Sequence, residues 1–254
     1  MKAYNGYLID LDGTVYRGTE VIPEAVKFIN ELEKRSIPYL FLTNNSTKPP
    51  RKVADTLISM GIPATTEHVF TTSMATAAYV SEQHPGARVY SIGEEGLLAA
   101  LEEQGLEIVE DNADFVVMGL DRTITYEKLT RGALNIRKGA RFIATNGDVA
   151  LPTERGFLPG AGSLVSVLAV TTGITPTFIG KPESIIVEQA LEVLGTSKQE
   201  TIMVGDNYDT DILAGIRAGI DSLLVYTGVT TKEHMQAIPQ KSTYMLQSLS
   251  EWNF

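Results

Sequence analysis

The chain has 254 residues, of which 43% are hydrophobic and 20% charged, a composition that predicts a folded globular protein of one large or two ordinary domains. Its formal net charge of -10 argues against a surface for nucleic-acid polymers or anionic membranes, because such a surface needs clustered lysine and arginine. The absence of cysteine from the sequence excludes disulfides, thiolate catalysis and cysteine-based zinc sites, and it fits the cytoplasm.

The amino terminus resembles neither a secretory signal nor a membrane anchor. It carries a single lysine and soon reaches the acidic pair Asp10 and Asp12, unlike the basic start of a signal peptide. The longest apolar stretch, at residues 164–170, is too short to span a bilayer. We therefore expect a cytoplasmic protein that has neither a membrane nor a nucleic-acid polymer as its partner.

Strand-like and helix-like segments alternate along the chain in three series. Short apolar runs bounded by turn residues indicate strands, and apolar residues that recur every three or four positions indicate helices. The first series comprises strands 7–9 and 38–42 and helices 23–34, 51–60 and 73–82. The second comprises strands 88–92, 115–118 and 141–145 and helices 96–104, 126–136 and 164–171. The third begins at 176–180 and continues with helices 184–194 and 209–218 and strands 201–204 and 222–226.

This alternation predicts an α/β fold, because parallel strands joined by right-handed crossover helices produce the same order. The predicted core is a Rossmann-like, doubly wound parallel sheet formed by residues 1–80 and 177–254. Residues 81–176 are predicted to form an inserted α/β cap domain, and two linker crossings would let it close over a site on the core. Trp252 has no evident role, and we expect it to pack on the surface.

The segment from Tyr7 to Thr14 carries the first chemical motif. Asp10 and Asp12 follow a short apolar run, and side chains alternate along a strand, so both carboxylates point to the same side. Gly13 permits a sharp turn directly after them. Two buried carboxylates repel each other, and a bound divalent cation would remove that conflict. Taken alone, the pair fits a chance pairing of acids in a turn equally well.

Three further motifs follow other predicted strands or extended segments. In chain order they are the pair Thr43-Asn44, the single Lys181, and the group Asp206, Asn207 and Asp211. Ligands of open α/β sheets bind beyond the carboxyl ends of the strands, so this topology would bring all four motifs to one crevice. Carboxylates, a hydroxyl, an amide and one ammonium together suit phosphoryl transfer with a hard cation such as Mg²⁺.

The ordered set of motifs resembles the haloacid dehalogenase superfamily of aspartyl-phosphate enzymes, and the resemblance covers nearly the whole chain. The long insertion between the second and third motifs resembles the branch with a large α/β cap, the NagD or p-nitrophenyl phosphatase type. The segments that carry this closer resemblance are residues 10–18, 43–46, 144–148 and 205–211. The sequence departs from many relatives at Gly147, where they have proline. The resemblance implies a Mg²⁺-dependent phosphoric monoester hydrolase acting on a sugar phosphate, a nucleotide or p-nitrophenyl phosphate.

The resemblance also implies a role for each matching residue of the core. Asp10 would be the nucleophile that forms an aspartyl-phosphate, and Asp12 would protonate the leaving oxygen and then deprotonate the attacking water. An aspartate at this second position is typical of phosphatases and phosphomutases, not of dehalogenases. Mg²⁺ would bind Asp10, the backbone carbonyl of Asp12, and Asp206. Lys181 would offset the charge of nucleophile and phosphate, and Asp211 would orient Lys181 or a metal-bound water.

Other matching residues would contact the substrate or support the site. Thr43 and the backbone amide of Asn44 would hold phosphoryl oxygens, and Asn45 belongs to the same motif. In the insertion, Asn146 and Asp148 are candidates for substrate contact, with turn capping as an equally good explanation. The supporting positions in the two acidic motifs are Gly13, Thr14, Asn207 and Asp211.

Each motif taken alone also has a plain structural explanation. Lys181 fits a solvated charge ahead of a helix, and Asp206 and Asp211 fit carboxylates at helix termini. Thr43 and Asn44 fit ordinary turn residues. Their shared placement after strands favours a common site over these separate explanations.

Two further features are weaker candidates for chemistry. The segment 160–163 could bind a phosphate at the start of a helix, although a tight entry into that helix is the favoured explanation. The histidines, His68, His84 and His234, are spread along the chain without a ligand spacing. We expect them at the surface rather than in a metal or catalytic site.

Three rival functions share parts of this pattern. A phosphotransferase or phosphomutase would use the same core and pass the phosphoryl group to an alcohol or sugar in place of water. A non-catalytic phosphoryl receiver also uses acids and a lysine, but the second carboxylate and the long insertion count against it. A sugar-phosphate-binding regulator would bind its ligand without hydrolysis. The physiological substrate stays open at this point, and the insertion offers surface for a homodimer.

Overall fold

The computed structural model describes residues 2–153 and 155–254. Its strands are β1 (Gly6–Ile9), β2 (Tyr16–Arg17), β3 (Glu20–Val21), β4 (Tyr39–Thr43), β5 (Val69–Thr71), β6 (Arg88–Ile92), β7 (Glu107–Ile108), β8 (Phe115–Met118), β9 (Arg141–Ala144), β10 (Ala150–Thr153), β11 (Gly156–Pro159), β12 (Thr177–Phe178), β13 (Thr201–Gly205), β14 (Asp221–Val225) and β15 (Tyr244–Leu246).

The helices are α1 (Pro23–Lys34), α2 (Pro50–Ser59), α3 (Thr72–Gln83), α4 (Glu95–Glu103), α5 (Tyr126–Arg137), α6 (Ala161–Thr172), α7 (Ser184–Leu194), α8 (Leu213–Ala218) and α9 (Lys232–Ala237). Short 3₁₀ turns span Thr66–His68 and Leu249–Glu251, and a single π-helical turn spans Tyr208–Ile212. Within this described part of the chain, no helix combines the length and the apolar character that crossing a membrane requires.

The chain divides into two compact units. The first comprises Met1–Thr43, Arg51–Phe70 and Lys181–Phe254, and the second comprises Asn44–Pro50 and Thr71–Gly180. The sheet of the first unit has the order β15-β14-β13-β1-β4-β5, and β1 pairs in parallel with both β13 and β4. The early strands β4 and β5 lie on one side of β1 and the late strands β13, β14 and β15 lie on the other, which makes the sheet doubly wound. The predicted α/β, Rossmann-like fold is confirmed.

The first unit follows from the pattern of its segments. All four residues of β1 are buried, as expected for a parallel strand that is covered on both faces. α1 begins at Pro23, which lacks the amide hydrogen that the first turn of a helix leaves unpaired. Its buried side chains Phe28, Ile29 and Leu32 form one stripe, and they join the sheet residues in a hydrophobic core.

The prediction that Trp252 packs on the surface is wrong. Its side chain is only 6% exposed, and its indole N–H donates to the Tyr7 hydroxyl oxygen at 3.2 Å. Its ring centroid lies 5.4 Å from that of Tyr244 and 6.1 Å from that of Tyr4. The last 3₁₀ turn packs against α1, so the C-terminal aromatic residues complete the core of the first unit.

The second unit has its own parallel sheet, with the order β12-β9-β8-β6-β7. α5 and α6 pack together, and their buried residues Ile136, Val165 and Leu168 share a hydrophobic core with the sheet. β10 and β11 form a separate antiparallel hairpin. This unit therefore has the composition of a small α/β domain.

The bounds of the two units differ from those expected from the sequence. The extended segment 176–180, which the sequence predicts to begin the last series of the core, lies within the second unit. Thr177 pairs with Ile143, so β12 extends the sheet of the second unit. α3 packs against α4 and also belongs to the second unit, whose long segment begins at Thr71 and not near residue 81. The assignment of the two units as core and cap stays a prediction.

Candidate active site

The strand order of the first unit brings two acidic motifs to the same edge of its sheet. β1 and β13 are neighbours, with Ile9 opposite Val204, and Asp10 and Asp206 follow directly after these strands. The Asp10 amide donates to the Val204 carbonyl oxygen at 2.9 Å, which continues the pairing by one residue. The strand order reverses between β1 and β13, and ligands of open α/β sheets bind at such a point.

Lys181 links three of the predicted motifs at a buried position. Its Nζ lies 2.5 Å from Asp10 Oδ1 and 2.8 Å from Asp211 Oδ1, and the Lys181 side chain is only 2% exposed. The ammonium also donates to the Leu42 carbonyl oxygen at 2.9 Å, one residue before Thr43. The explanation of Lys181 as a solvated charge is therefore wrong.

Asp206 is buried, and both oxygens of its carboxylate accept hydrogen bonds. The Thr14 hydroxyl donates to Oδ1 at 3.1 Å, and the Val229 amide donates to Oδ2 at 2.7 Å. Gly13 has a positive φ of 89°, and a Cβ placed there would lie 2.4 Å from Asp206 Oδ2. Glycine is thus required at position 13 both for the turn and for the close approach of Asp206.

The π-helical turn places Asp211 in the same cluster. Asp211 is 1% exposed, and its Oδ2 accepts a hydrogen bond from the Asn207 amide at 3.0 Å. The Ile212 amide reaches back to the Asn207 carbonyl at 3.3 Å, which is the wide turn of a π-helix. A Cβ at Gly205 would lie 2.3 Å from Asp211 Cβ, so Gly205 leaves the space that Asp211 occupies.

The acidic side chains form a compact oxygen cluster. One carboxylate oxygen from each of Asp10, Asp206 and Asp211 lies within 4.8 Å of the others. Burial raises the pKa of Asp10, and the negative charge of Asp211 raises it further. Burial and Asp211 also raise the pKa of Asp206, to about 6. Such a cluster of hard oxygen donors could hold a metal ion.

The Lys181 ammonium stays charged in this cluster. Burial lowers its pKa, but Asp10 and Asp211 raise it by more, so the pKa lies above its ordinary value. One ammonium against three carboxylates still leaves an excess of negative charge. A divalent cation would remove that excess.

Two other predicted core residues lie near these groups in the chain but differ in burial. Thr43 ends β4 and is buried. Asp12 is exposed, in the turn that pairs Gly13 with Tyr16, and its carboxylate is not part of the oxygen cluster. Asp12 therefore meets solvent directly, unlike Asp10.

The remaining predicted site residues come together within the second unit. The Asn44 side-chain amide donates to both Asp148 oxygens, at 3.3 and 3.2 Å. Asn146 donates from its side chain to the Asn44 carbonyl at 2.9 Å and accepts from the Asp148 amide at 3.1 Å. Asn45 instead forms a local turn, since its Oδ1 accepts from the Thr47 amide at 2.9 Å.

The weaker candidates do not join the cluster of acids. Gly160 caps α6, and a Cβ there would lie 2.1 Å from the Asp148 carbonyl oxygen, which supports the explanation by tight helix entry. His68 stacks on Tyr39 with ring centroids 4.5 Å apart. His84 and His234 are exposed.

Sequence reasoning missed the loop after β14, which supplies the Val229 amide to Asp206. The signal was present in the sequence. The small residues Thr227 and Gly228 follow a predicted strand directly, as do the polar residues of the other motifs. Every residue except proline carries a main-chain amide, so the residue type at position 229 does not indicate that its amide binds Asp206.

Comparison with known proteins assigns the family. The family model described as haloacid dehalogenase-like hydrolase matches residues 7–107, and the one described as HAD-hydrolase-like matches residues 178–252. The chain is 63% identical over 252 residues to the 5′-nucleotidase YutF of Bacillus subtilis (strain 168), covering 99% of this chain and 98% of that protein. It is 53% identical over 251 residues to an acid sugar phosphatase of Staphylococcus epidermidis, covering 98% of this chain and 97% of that protein.

A solved structure of a related phosphatase is similar to this chain along its whole length. A mutant of the thermostable p-nitrophenylphosphatase from Bacillus stearothermophilus superposes with a TM-score of 0.92 at 60% sequence identity, covering 100% of both chains. This similarity in sequence and fold extends over the whole length of the chain. The chain therefore belongs to the haloacid dehalogenase-like hydrolases and is a phosphatase of their NagD-like branch.

Proposed function

We propose that the protein hydrolyses small phosphomonoesters with Mg²⁺ as its cofactor, by way of a phosphoryl group carried on Asp10. The observation that carries this proposal is the buried Lys181 ammonium, in contact with the carboxylates of both Asp10 and Asp211. Burying charged groups in this way contributes little to stability, because the cost of desolvation offsets the attraction. Buried, charged groups with shifted pKa values are typical of catalytic sites.

The donor set of the cluster fits Mg²⁺. Carboxylate and carbonyl oxygens are the ligands that this ion prefers, and it is usually held by few protein groups together with phosphate and water. Asp10, Asp206 and the backbone carbonyl of Asp12 would hold it. Bound there, the ion would supply positive charge that offsets the carboxylates and the phosphoryl oxygens.

The chain's own residues would then carry the two chemical steps. A carboxylate oxygen of Asp10 attacks phosphorus, the new oxygen–phosphorus bond forms, and the ester bond breaks as Asp12 gives a proton to the leaving oxygen. Asp12 next takes a proton from a water molecule, which attacks phosphorus and displaces the Asp10 carboxylate as inorganic phosphate forms. The exposure of Asp12 fits a group that must meet both a leaving group and water.

Lys181 and its neighbours would organise the nucleophile. The ammonium holds Asp10 Oδ1 and favours the charged carboxylate, which is the form that attacks. Asp211 positions the ammonium from the other side. Thr43 and the backbone amide of Asn44 would bind phosphoryl oxygens and stabilise the charge that develops on them.

The names of the relatives indicate the range of esters to test. They are called a 5′-nucleotidase, an acid sugar phosphatase and a p-nitrophenylphosphatase, and we propose substrates of these three classes. We also propose that the second unit acts as the cap that selects the leaving group, with Asn146 and Asp148 as contacts. A homodimer and a cytoplasmic location stay predictions, which gel filtration and cell fractionation would check.

Replacing the nucleophile tests the proposal directly. Asp10→Asn should lower kcat for p-nitrophenyl phosphate by as much as about 10⁶-fold, the order of the loss when a hydrolase loses its nucleophile. The control is Asp209→Asn, which changes an exposed acid in the motif of Asp206 and should keep full activity. Activity of Asp10→Asn equal to that of the wild type would reject Asp10 as the nucleophile.

Two further measurements test the phosphorylated intermediate and the identity of the phosphoryl acceptor. Quenching the reaction with borohydride should convert Asp10 to homoserine, detected by mass spectrometry, because borohydride reduces an acyl phosphate. Adding an alcohol or sugar as a competing acceptor should leave inorganic phosphate as the main product. Transfer of most phosphoryl groups to the acceptor would instead identify a phosphotransferase.

A further inference from the structure

The loop formed by residues 226–230 holds no acid or base, yet it lies beside the acid cluster. It follows β14, which pairs in parallel with β13 so that Gly205 lies opposite Leu224. The loop therefore leaves the sheet at the same edge as Asp206, the residue after Gly205. Because neighbouring parallel strands end together, a loop at this place can contact the ends of both acidic motifs.

Hydrogen bonds from this loop fix Asp206 at both its side chain and its main chain. The Val229 amide donates to Oδ2 of Asp206 at 2.7 Å. The Thr230 amide donates to the Asp206 carbonyl oxygen at 3.1 Å, and the Thr230 hydroxyl accepts from the Tyr208 amide at 2.8 Å. A hydrogen bond from a backbone amide to a carboxylate is strong and restricts the orientation of the carboxylate.

Gly228 packs against the same carboxylate. A Cβ at position 228 would lie 1.9 Å from Asp206 Oδ2 and 2.4 Å from its Cγ, far inside any real contact. Gly13 approaches this carboxylate as well, at 2.4 Å for the equivalent Cβ. Gly228, unlike Gly13, is not among the glycines with a positive φ, so an alanine there would be opposed by lack of space and not by its backbone.

Thr227 joins the loop to the first acidic motif. Its hydroxyl donates to the Gly13 carbonyl oxygen at 2.7 Å. The hydroxyl of Thr14, which follows Gly13 in the chain, donates to Oδ1 of Asp206 at 3.1 Å. The orientation of Asp206 thus depends on a closed set of contacts that runs through the loop and the turn at Gly13.

We propose that Thr227 and Gly228 are positioning residues that set the orientation of the Asp206 carboxylate for binding Mg²⁺. This inference rests on the proposed function, in which Asp206 is a ligand of the ion. Each carboxylate oxygen accepts one hydrogen bond and keeps capacity for a further ligand, so the loop orients Asp206 without blocking it. Disturbing groups that orient a metal ligand typically weakens metal binding by about 10- to 100-fold.

The test measures Mg²⁺ binding to the full chain without substrate, by isothermal titration calorimetry after removal of metal. Gly228→Ala should raise the Kd for Mg²⁺ by about 10- to 100-fold. The matched control is Gly215→Ala on α8, where the new Cβ would be crowded by Met203 at 3.2 Å and by Ser222 at 3.4 Å. It adds a methyl group to the same unit away from Asp206, with milder crowding than at position 228, and its Kd should stay within about twofold of the wild type.

A second pair of variants does not depend on the fold tolerating alanine at position 228. Thr227→Val keeps the shape of the side chain but removes the hydroxyl, and Thr227→Ser keeps the hydroxyl. We expect weaker Mg²⁺ binding in the valine variant and near-normal binding in the serine variant. Electron paramagnetic resonance of bound Mn²⁺ provides a second reading of the same site.

The outcomes separate this inference from the function on which it rests. If the wild type binds no Mg²⁺, or Asp206→Asn binds it normally, the metal site itself is rejected and the inference with it. If Asp206→Asn loses binding while Gly228→Ala and Thr227→Val both bind within about twofold of the wild type, only the positioning role is overturned. If Gly228→Ala does not fold, the comparison of Thr227→Val with Thr227→Ser decides.

Discussion

Replacing Lys181 by methionine should destabilise the folded protein, because it leaves buried carboxylates without the ammonium that they contact. Methionine keeps most of the length of the side chain and removes only its charge and its donors. Three acceptors lose their common partner: Asp10 Oδ1 at 2.5 Å, Asp211 Oδ1 at 2.8 Å and the Leu42 carbonyl oxygen at 2.9 Å. All of them stay at buried positions, where water replaces a lost donor poorly.

The size of the effect follows from these distances. At an effective dielectric constant of about 20, Coulomb's law gives roughly 6 kcal/mol for each of the two contacts between ammonium and carboxylate. The variant avoids desolvating an ammonium, which saves several kcal/mol, and a carboxylate can bind a proton instead of staying charged. We therefore expect Lys181→Met to lower the free energy of unfolding by about 3–5 kcal/mol at pH 7.5 without metal.

The loss should depend on pH and on Mg²⁺ in a defined direction. Burial and Asp211 already raise the pKa of Asp10, and loss of the ammonium raises it further. An acid whose pKa is raised on folding destabilises the folded state as pH rises, so the deficit of the variant should shrink as pH falls toward 5. Mg²⁺ should also stabilise the variant at least as much as the wild type, because it restores positive charge.

Urea unfolding followed by fluorescence is a suitable assay. Trp252 is the one tryptophan of the sequence and is buried in the unit that contains Lys181, so its emission reports on that unit. The control is Lys198→Met, which breaks an exposed ion pair to Glu188 at 3.2 Å and should leave stability nearly unchanged. A loss below about 1 kcal/mol for Lys181→Met, or a loss that grows toward pH 5, would refute this reasoning.

Two further predictions concern stability away from the acid cluster. Burial raises the pKa of Asp121, but hydrogen bonds from Lys128 and Thr123 lower it by more, so its pKa lies below the ordinary 3.8. The stabilising effect of Asp121 is therefore present above pH 3.8 and is lost as the pH falls below that value. Asp121→Asn should lower the free energy of unfolding by about 2 kcal/mol at pH 7 and by little near pH 3, as measured by urea titration. Trp252→Ala should lower the free energy of unfolding by about 3–5 kcal/mol, because the indole ring fills the core beside Tyr7. Unfolding followed by circular dichroism would measure this loss, and a change under about 1 kcal/mol would contradict the burial of Trp252.

The sequence predicted the arrangement of the site better than its surroundings. Asp10 and Asp206 each follow an apolar run, and parallel strands that neighbour each other must end at one edge, so their proximity followed from topology alone. Lys181 was placed with them by the same topology, although the segment before it is only weakly apolar. Its burial between two acids could not be predicted from local sequence, because the partners lie far away in the chain.

The features that the sequence did not reveal depend on contacts between distant segments. β12 has only two residues, and its place beside β9 is set by pairing of Thr177 with Ile143, which no local pattern encodes. The apolar residues of the C-terminal segment do not recur with a helical or strand period, so the local sequence does not predict that Trp252 is buried. Its burial depends on the packing of this segment against α1, which is distant in the chain. The helix predicted for 209–218 begins as the π turn Tyr208–Ile212, and Asp211 in this turn contacts Lys181, a partner that the local sequence does not indicate.

The contrast between Asp121 and Asp206 shows how one fold uses buried acids in two ways. Asp121 accepts hydrogen bonds from the Lys128 ammonium and from Thr123, and these outweigh burial, so its pKa is lowered and its charged form is favoured within the protein. Asp206 accepts two hydrogen bonds of good geometry, yet its pKa is raised to about 6 because burial and Asp211 outweigh them. Donors that fix a carboxylate without neutralising it produce a charge that is oriented and still lacks a partner. A divalent cation would complete such a charge, and this contrast supports the proposal of Mg²⁺ at Asp206 and not at Asp121.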